Sequence, residues 1–283
     1  MTPPNAIGAR ERLPALAALA LPVLVGVAWM ASAGAPASYA IVNLGALVLA
    51  GGWVLFGLGP HTAASRHILA IAAIALMLMA LVVGAQLISI TGHPVQRWFP
   101  VGPLNAHTGM VAAPILAVLA ARDPRAAPFV ILGSVIAAWL QPDAATGFAL
   151  TFAAIGLHHV TQDWRAGVAG IIAFVASLEM AMRGELPPQP FVERVVADAA
   201  ATHLLLGFAL VASVIGSFCL ILFASPLARA ARFALAGALF GFAIMALMSS
   251  YPAPLLGYGP SAIIGFGLAL GMVGPQDRSE AEA

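Results

Sequence analysis

Charge is scarce in this chain of 283 residues: 8 % of its side chains are Asp, Glu, Lys or Arg, against 61 % hydrophobic. A soluble domain is about a quarter charged, so a water-soluble globule is excluded. Lysine is missing altogether, and all twelve basic residues are Arg. With a formal net charge of +1 and no Arg cluster, the chain offers no basic surface to a nucleic acid, and none is expected as a partner. The single cysteine, Cys219, excludes a disulfide framework and a Cys-based metal site. Inside its apolar run it reads as a small buried hydrophobe. Room for loops is lacking as well. Ten membrane helices of ~20 residues would occupy ~200 residues and leave no separate soluble domain.

What is present is a series of apolar runs punctuated by Arg, Pro and Gly. They give ten candidate spans: Leu13 to Ala33, Tyr39 to Gly59, Ile68 to Ile90, Thr108 to Ala121, Ala126 to Gln141, Ala144 to Val160, Ala166 to Met182, His203 to Ala224, Phe233 to Ser249 and Pro260 to Val273. The expected fold is therefore all-α, a polytopic membrane protein of about ten helices. Residues 1–12 and 274–283 form tails around one transmembrane domain, 13–273. Three central spans are short. Ala126 to Gln141 covers about 24 Å at helical rise, against a hydrocarbon core of about 30 Å. Such helices mark a cavity or, alternatively, a thinned bilayer.

The arginines orient the chain. With a cytoplasmic N-terminus, Arg10, Arg12, Arg66, Arg122, Arg125, Arg165, Arg229, Arg232 and Arg278 fall on the inner side, and only Arg97, Arg183 and Arg194 on the outer. Every inner segment holds at least one Arg, as the positive-inside rule requires, and both termini are cytoplasmic. Arg10 and Arg12, an apolar run and Ala31-Ser32-Ala33 also fit a cleaved signal peptide, but the run exceeds the usual ~7–15-residue core and favours a retained helix.

The outer segments carry the informative residues. Gln96-Arg97-Trp98-Phe99-Pro100-Val101-Gly102-Pro103 sets a cation and an aromatic ring at headgroup level, where an interfacial anchor would also put them. Gln141-Pro142-Asp143-Ala144-Ala145-Thr146-Gly147 puts an acid at a helix start, either lining a cavity or capping the helix, with Gly147 permitting close packing. Tyr251-Pro252-Ala253-Pro254-Leu255-Leu256-Gly257-Tyr258-Gly259-Pro260-Ser261 is too apolar for a solvated loop and too rich in Pro and Gly for a helix. Backbone of that kind survives at membrane depth only against protein or a water-filled cavity.

These three segments, in this order, resemble the SEDS family of bacterial cell-wall proteins, the FtsW and RodA type. Its outer loop reads roughly G-x-R-R-W-I-x-x-G-P, its next signature Q-P-D-L-G-T-A, and its last P-L-P-F-(I/V)-S-Y-G-G-S-S. The resemblance runs from about Leu13 to Val273. It implies a glycosyltransferase in the bacterial inner membrane that polymerises lipid II, serves cell division or cell shape, and works beside a class B penicillin-binding transpeptidase. Two departures stand out. The family's fourth helix begins Q-P-S-E-L-A-K, whereas His107-Thr108-Gly109-Met110-Val111-Ala112-Ala113 lacks both charges. The large outer loop after the seventh helix is drastically shortened.

In the family that loop ends L-P-E-x-H-T-D-F-I-F-A, with a catalytic Asp. Counting back from Leu204-Leu205-Leu206-Gly207 puts Glu193 at that position. The implied chemistry needs a carboxylate to take a proton from the acceptor hydroxyl, and positive charge or a divalent cation at the departing diphosphate. Glu193 is the candidate base and Arg97 and Arg194 the diphosphate contacts. Trp98, His107, Asp143, Tyr258 and Ser261 complete the expected substrate cavity. No set of metal ligands is identified. The competing expectation is a surface helix over 192–202 with an exposed Arg194–Asp198 pair.

Elsewhere, Glu179 and Arg183 read as an i, i+4 ion pair, and His158-His159 as interfacial residues at an inner helix end. Gly237-Ala238-Leu239-Phe240-Gly241 and Gly267-Leu268-Ala269-Leu270-Gly271 read as helix packing, within the chain or with a partner's span. Two other functions fit the scaffold: an inactive partner-binding relative and a transporter of lipid-linked precursor.

Overall fold

The structure, a computed structural model, describes residues 8–274. Most of the expected C-terminal tail, including Arg278, and residues 1–7 of the N-terminal one lie outside them. Each expected span contains a helix: α1 (Leu13–Ser32), α2 (Ala37–Phe56), α3 (Ala63–Val83), α4 (Thr108–Arg122), α5 (Ala127–Leu140), α6 (Ala144–Thr161), α7 (Trp164–Gly184), α9 (Leu204–Ala224), α10 (Arg229–Met248) and α11 (Pro260–Leu270), with a short α8 (Val195–Thr202) before α9. The third span, expected to reach Ile90, ends as a helix at Val83, and Leu87–Ile88 within it is strand. Seven are long and apolar enough to cross a membrane, and α4, α5 and α11 are shorter apolar helices. The short α4 and α11 are buried along nearly their whole length, so their shortness meets protein rather than lipid. That leaves α5, with Phe129 and Ile136 exposed, as the short helix that faces the bilayer.

Outside the helices the all-α pattern gives way locally to two antiparallel hairpins: β1 (Leu87–Ile88) with β2 (Pro94–Val95), and β3 (Trp98–Val101) with β4 (Leu104–His107). The second turns through Gly102, φ +57°, the backbone that a tight hairpin needs at its first turn position. Proline and glycine thus fold this loop instead of merely stiffening it.

The helices pack as membrane helices do, through small residues. The inward face of α9 is Gly207, Leu210, Ser213, Ser217 and Ile221, while Leu204, Leu205, Phe208, Ile215 and Phe223 are exposed. That inversion follows from a solvent as apolar as leucine, in which close backbone contact replaces hydrophobic burial. Cys219, two residues past Ser217, is exposed on the outward face. The expected burial fails because Cys219 falls off the inward stripe of Gly207, Leu210, Ser213, Ser217 and Ile221.

The pairing of α6 with α10 is the tightest in the bundle. Gly237 lies against the Phe152 carbonyl and Gly241 against the Phe148 carbonyl, while Gly267 and Gly271 lie against Ala50 and Trp53 of α2. Both small-residue patterns are therefore consumed inside the chain, and neither presents a face to a partner.

At one end of the bundle, Arg12 donates to the carbonyls of Val54 (3.1 Å) and Gly57 (2.8 Å) at the C-terminus of α2, and Arg122 donates to the Met272 carbonyl just past α11. Guanidinium groups satisfy helix C-terminal carbonyls and complement the dipole there. This is the inner end by the charge count. Trp98, Glu193 and the loop before α11 lie at the other.

At Gly241 a Cβ would meet only backbone atoms, the Phe148 carbonyl oxygen at 2.3 Å and Ala149 Cα at 2.6 Å. Gly241→Val should therefore destabilise the protein by about 1–3 kcal/mol or more. Gly52→Ala, with open space around it, should change stability by less than about 1 kcal/mol. Thermal unfolding in detergent compares the two.

Candidate functional site

Two extended segments and two helix starts meet at the outer end. Strand β4 runs straight into α4, with His107 as both the last strand residue and the N-cap. Its Nδ1 accepts the Met110 N–H at 3.3 Å, and its own N–H donates to Ser261 Oγ, in the first turn of α11, at 2.8 Å. Opposite, the chain between α7 and α8 runs beside the loop before α11. Glu193 pairs with Pro252 in a β-bridge, the Ala253 N–H donates to the Val192 carbonyl (3.0 Å), and the Tyr258 N–H donates to the Phe191 carbonyl (2.6 Å). The loop before α11 thus finds its backbone partners in protein, as its composition requires.

Between these segments lies a cavity of about 340 Å³, with Trp98, His107, Glu193, Tyr258 and Ser261 on its walls together with Asn105, Gln189 and Met110. Trp98 and His107 are cross-strand partners whose rings meet edge to face, centroids 5.4 Å apart. Glu193 is 7 % exposed and accepts the Gln189 N–H at 2.7 Å. Burial pushes its carboxyl above the ordinary glutamate range; the Gln189 N–H and the Arg97 charge pull it down without overcoming that shift.

Three expected cavity residues do not line it. Arg97, just before β3, lies behind Trp98 and not on the cavity. It is 1 % exposed, donates to the Gly184 carbonyl at 2.8 Å and stacks over the rings of Trp98 and Tyr251 at 4.9 and 4.8 Å. Asp143 sits behind the wall with it, 3.6 Å from Arg97 Nη1. Of the two roles open to Asp143, the structure gives it the cap: its carboxylate accepts the Thr146 N–H (3.3 Å) and hydroxyl (2.5 Å) at the start of α6. Arg194 is exposed at the N-cap of α8 with φ +58°, away from the cavity. Its expected pair with Asp198 does not form; a backbone bond from the Asp198 amide to the Arg194 carbonyl joins them instead.

His107 links wall and interior. Burial lowers its pKa to about 4, with Asp143 raising it and Arg97 lowering it, so the ring is neutral near neutral pH. Because Nδ1 accepts a hydrogen bond, the proton belongs on Nε2, which lies 3.8 Å from Asp143 Oδ2. Gly109 leaves room for this arrangement: a Cβ there would fall 1.9 Å from Thr146 Oγ1 and 2.6 Å from Asp143 Oδ2.

Elsewhere Glu179 and Arg183 form their ion pair, and Trp139 Nε1 donates to Glu179 at 2.8 Å. His158 bonds the Asp163 carbonyl and His159 stacks on Phe233. Among the described residues no three His, Cys, Asp or Glu side chains gather as a metal site, and Glu193 is the one acid lining the cavity. Sequence reading passed over Asn43, a lone amide in the apolar run of α2, which is fully buried and bonds to the loop before α11. That isolated polarity was the signal available.

No family model matches the sequence, and no curated protein sequence is significantly similar to it. Solved structures do match. An Asp-to-Ala mutant of the rod shape determining protein RodA from Thermus thermophilus has a TM-score of 0.65 and 19 % identity, over 93 % of this chain and 96 % of that one. A chain from a peptidoglycan synthase complex, in a structure concerned with coordinating polymerization and crosslinking, has a TM-score of 0.61 and 20 % identity, over 94 % and 97 %. The chain has the RodA-like, SEDS-type fold along almost its whole length.

Asp143→Ala would leave the Arg97 charge buried without its partner, at a cost of about 3–5 kcal/mol. Replacing both, with Arg97→Met and Asp143→Asn, removes the uncompensated charge and should recover part of the loss. Thermal unfolding of the single and double variants measures it.

Proposed function

We propose that this chain, folded as RodA is folded, is a membrane protein of bacterial cell-wall synthesis that polymerises lipid II at the outer face of the inner membrane. One observation carries the reading: a half-polar cavity at the outer end of the bundle holds a single, nearly buried carboxylate, Glu193, on its wall. The transmembrane domain, 13–273, is then the whole catalytic unit.

In this reading Glu193 takes the proton from the acceptor sugar hydroxyl as that oxygen bonds to the anomeric carbon of the donor. The donor's bond to its lipid diphosphate breaks, and the diphosphate leaves. A carboxyl raised by burial is a stronger base than an ordinary glutamate. Arg97 acts through its field on Glu193, not by touching the diphosphate. Charge on the leaving group falls instead to the N-terminal ends of α4 and α11, both of which reach the cavity through His107, Met110, Pro260 and Ser261; helix N-termini favour anions.

A second reading, an inactive scaffold that binds a partner, is favoured by one observation: no arginine lines the cavity. A class B penicillin-binding transpeptidase is the partner in either case. Its membrane helix has a surface to bury on, an apolar groove of about 380 Å³ between α9 and α10 with Ile215, Phe240 and Leu247 on its walls. Ile215→Trp should fill that groove and reduce co-purification of such a transpeptidase, and unchanged co-purification would remove the assignment.

Glu193→Gln should abolish glycan strand formation from lipid II by the purified chain, alone or with its partner. In the active protein, the base works only when ionised and its pKa is raised. The rate therefore grows with pH through a limb lying above the ordinary glutamate value of 4.5. Full polymerisation by Glu193→Gln would exclude Glu193 as the base. A wild-type chain that binds its partner but makes no strands supports the scaffold.

A further inference from the structure

One tyrosine on the cavity wall is held by three residues, Asn43, Tyr39 and Phe191, and the first two belong to no motif of the resemblance. Asn43 in α2 is fully buried. Its Nδ2 donates to the Gly257 carbonyl at 2.9 Å, and its Oδ1 accepts the Gly259 N–H at 3.1 Å. Those residues flank Tyr258. A buried amide is costly unless both of its ends are paired, and here both ends are used on the same short turn.

The Tyr258 N–H donates to the Phe191 carbonyl. The Tyr258 ring stacks on Tyr39, with centroids 3.7 Å apart and planes 11° from parallel, and Phe191 meets the edge of Tyr39 at 6.3 Å. The turn itself needs positive-φ backbone, with Gly259 at φ +143° and Leu255 at +63°, and Phe191 on the segment beside it has φ +64°. For the two non-glycine residues such backbone persists only where the surroundings over-determine it.

Tyr258 and Glu193 line the same cavity. An aromatic ring face is electronegative and matches the flat, C–H-rich face of a hexose whose substituents are equatorial. A ring already fixed by its neighbours loses little freedom when a sugar settles on it. We propose that Tyr258 is a sugar-stacking residue: its free face carries a sugar ring of the lipid-linked substrate beside Glu193, with Tyr39 backing the ring and Asn43 acting as a positioning residue. The inference rests on the glycosyl-transfer reading above and adds the part of the substrate that this wall recognises.

The test compares the affinity of the detergent-solubilised full chain for lipid II with its affinity for undecaprenyl diphosphate, which has the same lipid and diphosphate but no sugar. The wild-type protein should favour lipid II about tenfold or more. Tyr258→Leu should cut that ratio to about twofold, and Tyr258→Phe should keep it, since the ring and not the hydroxyl makes the contact. Tyr39→Leu and Asn43→Leu should lower the ratio as well, a readout that a merely structural role would leave unmoved even if it lowered the unfolding temperature. A wild-type ratio in Tyr258→Leu, or a loss in Tyr258→Phe as large as in Tyr258→Leu, overturns the proposal while leaving the polymerase reading intact. Failure of the wild-type chain to bind lipid II at all overturns both.

Discussion

A carboxylate buried among membrane helices has to be matched, and the matching of Asp143 organises the outer end of this protein. The carboxylate caps α6, lies at ion-pair distance from Arg97 and faces the Nε2 of His107. Arg97 in turn bonds the carbonyl of Gly184 at the end of α7, and His107 caps α4. One charge therefore fixes the relative positions of α4, α6, α7 and the β3–β4 hairpin. Small residues make the approach possible: Gly109 leaves space for the carboxylate, and Gly184 lies against the Pro142 carbonyl. Such a pair adds little net stability compared with apolar packing, but breaking it is expensive. It acts as a device for placing a wall.

With the wall placed, the two acids at this end of the bundle have different positions. Asp143 is committed to structure behind the cavity. Glu193 stands in front, on a segment that is extended rather than helical because it pairs with the loop before α11. The backbone bonds to Val192 and Phe191 complete its support. At the start of α4, where the resemblance would put two charges, stands His107, neutral because it is buried; in the proposed reading the positive ends of α4 and α11 supply what a side-chain cation would.

Much of this was legible in the residues. Apolar runs broken by Arg, Pro and Gly located ten helices, seven of them long and apolar enough to cross a membrane, because length and apolarity specify such a helix. Asp143 at a helix start, close packing at Gly147 and the Glu179–Arg183 pair followed from local spacing. What was not legible depended on direction. Arg97 and Trp98 were both expected on the cavity, yet only Trp98 lines it while Arg97 is buried behind the ring, and no strand was expected in an all-α fold. Cys219 was assigned to the interior because apolar runs suggest burial, whereas α9 buries its glycine and serines. The Gly237 and Gly267 patterns correctly marked close packing but could not say against which helix. Asn43 acts across more than two hundred residues of sequence, a distance at which no local pattern informs.

The central claim is that a lipid-linked sugar substrate occupies the cavity bounded by Trp98, Glu193 and Tyr258. Photocrosslinking tests it most directly, using a lipid II analogue that carries the reactive group on its sugar and the full chain in lipid nanodiscs. Adducts should map to residues 98–107, 189–193 and 252–262, and excess unlabelled lipid II should suppress them. Adducts confined to the lipid-facing helices, or labelling that unlabelled lipid II does not suppress, would contradict the account.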